Sequence, residues 1–144
     1  MLGIKPYVTF NGNCKEAINF YKEALGGEIL FTQTFGESPM KGQGADELIM
    51  HTSLKIGDSV IMASDNGQPD HAVDVGNNIS LALGSDDVAA AEKMFDKLAD
   101  GGKVNMPMQE TFWAESFGML TDKFGINWMF NCEKAGMGGS SATA

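Results

Sequence analysis

The feature that most constrains this chain is that its pattern of elements is written twice. An apolar run at residues 4–10 reads as a strand, and a helix follows that begins near Asn13 and stops at Gly26-Gly27. Strands are then expected at 28–35, 47–56 and 59–64, the last two as a hairpin across Gly57-Asp58. The same order returns at 78–84, with a helix introduced by Ser85 and closed by Gly101-Gly102, and strands at 103–108, 116–121 and 127–132. Phe20-Tyr21-Lys22-Glu23 aligns with Met94-Phe95-Asp96-Lys97, and Gly26-Gly27 with Gly101-Gly102, at offsets of 74 and 75 residues. Self-similarity at a fixed spacing means two copies of one supersecondary unit. The fold class expected is therefore α+β: two tandem βαβββ units, at 4–66 and 77–133, joined by a linker at 68–76 within one domain spanning 1–133. The small-residue stretch at 134–144 is expected to be a disordered tail.

Local signals support the two helices. In the first, Cys14, Ala17, Ile18, Tyr21 and Leu25 repeat at helical spacing, and Asn13 with Glu16 reads as a capping box. In the second, Val88, Ala91, Phe95 and Leu98 form the stripe, with Asp86 and Asp87 at the end where a negative charge meets the helix dipole. Each closing glycine pair takes the left-handed conformation without a Cβ penalty.

Charge and cysteine usage narrow the partners. A net charge of −9 over 144 residues repels nucleic acid and anionic membrane surfaces. No apolar run is long enough to span a bilayer, and no secretion signal is evident at the N-terminus. Cys14 and Cys132, far apart in unlike contexts, are expected to be reduced, which points to the cytoplasm.

Four phrases in order carry a family resemblance: Pro6-Tyr7-Val8-Thr9-Phe10-Asn11-Gly12-Asn13, Phe35-Gly36-Glu37-Ser38-Pro39-Met40, Met50-His51, and Thr111-Phe112-Trp113 through Phe124-Gly125-Ile126-Asn127-Trp128. With the doubled βαβββ unit, they make the chain resemble the vicinal oxygen chelate superfamily of glyoxalases, bleomycin-resistance proteins and dioxygenases. The resemblance is closest to its PhnB-like, demethylubiquinone methyltransferase-like branch. Ala114 departs from the glycine usual after that tryptophan. The resemblance implies that each unit is a half-barrel, with helices behind and an inner face forming a cup, and it implies a homodimer. It also places the superfamily's metal-binding positions at Pro6, Met62, Ser80 and Met129, none of which offers an imidazole or carboxylate. No metal ligand and no cofactor are therefore expected.

Period-two reading assigns faces within the strands. Ile79, Leu81 and Leu83 form one apolar set, leaving Ser80 and Ala82 for the cup; Leu48, Met50 and Leu54 form another, leaving Ile49, His51 and Ser53 for the cup. The expected ligand-binding residues are Phe10, His51, Met62, Ser80, Glu110, Trp113 and Met129. The methionines serve as an adaptable wall, and His51 and Glu110 orient a polar end of the ligand. This composition favours a metal-free small-molecule binding protein. A second candidate is an enzyme using His51 and Glu110 as an acid/base pair, with the Glu110 pKa raised by burial beside Trp113. A third is a scaffold dimer without ligand.

Overall fold

The structure is a computed structural model and describes residues 2–68 and 70–135. The chain forms two compact units, residues 1–74 and 75–144, each holding one helix and a four-stranded sheet. The first contains β1 (Tyr7–Phe10), α1 (Cys14–Leu25), β2 (Glu28–Thr34), β3 (Ile49–Ile56) and β4 (Ser59–Asp65). The second contains β5 (Ser80–Gly84), α2 (Val88–Ala99), β6 (Lys103–Gln109), β7 (Ala114–Thr121) and β8 (Asn127–Glu133). The sheet orders are β1-β4-β3-β2 and β5-β8-β7-β6, with one parallel pair and two antiparallel pairs in each. Each unit is thus a βαβββ half-barrel of the glyoxalase type.

The break between units at Asp74 and Val75 falls inside the stretch 68–76. Ahead of it, Asn11 bonds both the carbonyl and the amide of Val73, at 3.1 and 2.9 Å, and ties the end of the first unit down. The edges of the units are tighter than the sequence reading. Ile4 and Ile79 are 98% and 77% exposed and lie outside β1 and β5, so Ile79 is not part of the helix-facing set. Lys134 belongs to the folded unit rather than to a tail, since its amide donates to the Trp113 carbonyl at 3.0 Å. Residues 136–144 lie outside the described residues.

The helix ends show why glycine is paired twice. Gly26 and Gly101 take positive φ, 69° and 77°, as helix-ending residues do. A Cβ on Gly27 would lie 2.9 Å from the Lys55 carbonyl oxygen, and one on Gly102 would collide with that of Thr121. The first glycine turns the chain, and the second lets the next strand pass close to a neighbouring backbone.

The helix starts differ from expectation. Asn13 makes no side-chain cap; the buried carboxylate of Asp65 accepts the Cys14 amide at 2.9 Å and, through its other oxygen, the Ile49 amide at 2.9 Å. In α2 the cap is Asp87, which accepts from the Ala90 amide at 3.0 Å, while the Ser85 hydroxyl accepts the Asp87 amide at 3.0 Å.

Candidate functional site

Strand pairing fixes which side chains share a face. In the first unit, Ala63 and Leu54 are buried beneath α1, and residues one step out of phase lie on the open face away from it. There Tyr7, Met62, Ser53 and Phe31 stand opposite one another across all four strands. His51 sits among them: its Nδ1 is 3.3 Å from the Tyr7 hydroxyl, its Nε2 is 3.4 Å from the Ser53 hydroxyl, and its ring lies 5.7 Å from that of Tyr7 and 6.0 Å from that of Phe31. Tyr7 and Phe31 remain 48% and 50% exposed.

Phe10 is not on this face. It pairs with Asp65, on the side of Ala63, and is buried in the core. The register puts Tyr7, not Pro6, opposite Met62, so Tyr7 and Thr9 take the open positions. Ile49 also departs from expectation. The β2–β3 pairing slips between Gln33 and Thr34, and Ile49 is buried, lining a cleft with Ile18 and Asn19 of α1.

In the second unit, Leu120, Trp128 and Phe130 are buried on the α2 side. Trp128 is structural, its indole N–H donating to Asp122 at 2.9 Å while the other Asp122 oxygen accepts the Phe124 and Ile126 amides of the turn. The opposite, open face carries a row in register across four strands, Ala82, Met129, Met119 and Met106, with Ser80 and Asn127 forming the next rung. Beyond the methionines stand Asn131 and Phe117, also paired.

Trp113 reaches this face from the loop between β6 and β7. Its indole N–H donates to Asn131 at 3.2 Å, and its ring meets Phe117 and Phe112 edge-on at centroid distances of 5.3 and 4.7 Å. The loop is held by the Thr111 hydroxyl, which accepts the Ala114 amide at 3.0 Å. Asn131 in turn donates to Glu133 Oε1 at 3.3 Å, while Glu133 Oε2 is buried with no hydrogen-bond partner among the described residues. Phe117, Asn131 and Glu133 escaped the sequence reading, although Asn127, Met129, Asn131 and Glu133 alternate strictly with the buried set and so share its far side.

Glu110 stands apart. Its side chain is 71% exposed and pairs with Lys134 at 2.8 Å, and that hydrogen bond and charge hold its carboxyl below the ordinary range. The expected rise through burial is thus reversed, because the neighbouring cation outweighs what little desolvation the loop provides.

A family model described as the glyoxalase/bleomycin resistance protein/dioxygenase superfamily matches residues 3–130. The chain belongs to that superfamily. Protein YjdN of Escherichia coli (strain K12) is 40% identical over 145 residues, covering 91% of this chain and 95% of that protein. Among solved structures, protein PA1353 from Pseudomonas aeruginosa is 47% identical with a TM-score of 0.84, covering 92% of this chain and 98% of that one. The PhnB protein from Bacillus cereus shares the fold at 23% identity and a TM-score of 0.73, covering 90% of this chain and 98% of that one.

Superfamily proteins generally bind small molecules and often dimerise. Among the described residues no helix is long and apolar enough to cross a membrane. At the positions where the resemblance places metal ligands, the first unit carries Met62 with Tyr7 rather than Pro6 opposite it, and the second carries Ser80 and Met129; none offers the imidazole or carboxylate a divalent ion favours. Among the described residues, His, Cys, Asp and Glu form no group of three suited to a metal.

The cleft beside Ile49, about 180 Å³, lies between α1 and β2–β3. Its two inner hydroxyls, Thr32 and Thr52, bond each other at 2.9 Å, and Thr52 also donates to the Phe31 carbonyl.

Proposed function

We propose that this superfamily member is a metal-free small-molecule binding protein whose ligand rests on the open face of the second unit. The observation that carries this reading is Trp113 bonded to Asn131 beside the in-register row Met106, Met119 and Met129. An aromatic wall, an adaptable thioether floor and a few polar groups are the ingredients of such sites. Ser80 and Met129 are the ligand-facing residues expected from sequence that lie on this face, and Trp113 completes its wall. Glu110 orients nothing here, because its carboxylate is already committed to Lys134. Two free, buried cysteines support a reducing cytoplasmic setting, and a homodimer follows the superfamily's habit.

Saturation-transfer NMR against an aromatic fragment library tests the reading. Hits retained in the presence of a chelator and lost in Trp113→Ala support it; an absence of hits overturns it.

One observation favours an enzyme as the second reading. His51 lies between the Tyr7 and Ser53 hydroxyls, an arrangement suited to proton transfer without Glu110. A His51→Gln variant that loses turnover while keeping binding would decide for it.

A further inference from the structure

On the open face of the second unit, one oxygen of the Glu133 carboxylate has no hydrogen-bond partner among the described residues. Glu133 takes part in no ion pair among the described residues, and the lysine beside it, Lys134, is engaged with Glu110 at 2.8 Å. One Glu133 oxygen accepts from Asn131; the other is buried and unbonded. Leaving a buried acceptor unsatisfied is costly, and such groups ordinarily have a partner. Next along the strand, Asn131 ties the carboxylate to Trp113, whose ring stands edge-on to Phe112 and Phe117; Phe112 is 80% exposed. Electron-rich ring faces attract cations, and shielding from water strengthens both that attraction and a carboxylate pairing. The net charge of −9 draws cations toward the chain and repels anions.

We propose that the ligand of this face is a cationic amine on an apolar body, its ammonium group pairing with the Glu133 carboxylate and its body lying on Met119, Met129 and the Trp113 ring. This deepens the binding reading above and rests on it. It assigns recognition of the ligand's charge to Glu133, with Asn131 as the positioning residue that holds both the carboxylate and the indole.

Calorimetric titration with three congeners of one shape tests it: naphthylmethylammonium, naphthylmethanol and naphthoate. The ammonium is expected to bind about tenfold or more tightly than the alcohol, as a charge-assisted hydrogen bond implies, with naphthoate weakest. Glu133→Gln should bring the ammonium down to the level of the alcohol, and Glu133→Asp should keep part of the preference, separating loss of charge from loss of fold. If all three congeners bind the wild type alike, or the preference survives Glu133→Gln, the assignment is overturned while the binding reading stands. If none of the three binds the wild type, the binding reading fails and this inference fails with it.

Discussion

The carboxylate of Asp65, at the end of β4, accepts the amide of Cys14 at the start of α1, 2.9 Å away and out of contact with water. The same group accepts the Ile49 amide, so one side chain joins the helix, β3 and β4. Asp65→Ala would leave two buried N–H groups unpaired, at about 1–3 kcal/mol each. A loss of about 2–5 kcal/mol in urea unfolding is expected, with Asp65→Asn intermediate because it keeps one acceptor oxygen.

Burial, reinforced by the charge of Asp65, pushes the Cys14 thiol from its ordinary 9 up to about 12. Raising the folded pKa of a thiol favours its protonated form in the native state. The contribution is complete below the unfolded value near 9 and is lost as pH climbs from there toward 12. Urea midpoints measured through this window should fall with pH, and Cys14→Ala should flatten the slope. Native Cys14 should also resist alkylation at pH values where an unfolded thiol reacts.

Glu110 titrates in the opposite sense. Its carboxyl lies below the ordinary range because of Lys134, so the small stability it brings is present at neutral pH and disappears as pH falls through the folded value. Carbon-detected NMR should show a low midpoint that returns to the ordinary range in Lys134→Met. Because the pair is exposed, the urea midpoint at neutral pH should hardly move.

Gly102→Ala forces a Cβ into the Thr121 carbonyl and the Asp122 backbone, whereas Gly27→Ala meets the Lys55 carbonyl at 2.9 Å. Both should destabilise, the first by about 2–4 kcal/mol and more than the second, since backbone on the neighbouring strand must shift. Thermal unfolding of the two variants gives the ranking.

The doubled unit was legible because its signals are local: a periodic helix, a glycine pair and three alternating runs, each present twice. The faces of Ser80, Ala82 and His51 were legible because each lies out of phase with an apolar set in its own strand. Phe10 lies in the core because Tyr7, not Pro6, stands opposite Met62; in a strand of four residues a shift of one position exchanges every side chain between faces. Ile49 was misplaced by a bulge, which interrupts alternation without a glycine or proline to announce it. The Asp65 cap was invisible because its partners lie 51 and 16 residues away, while Asn13 and Glu16 offered a local pattern that the tertiary carboxylate displaced. The Glu110–Lys134 pair is hidden for the same reason, since its two members lie far apart along the chain.

The most direct test of the central claim is the dissociation constant of a fragment bound at Trp113, measured by calorimetry before and after exhaustive treatment with a chelator. The account predicts the same constant in both states and its loss in Trp113→Ala. A ligand that leaves with the metal and returns when zinc or nickel is restored would contradict it.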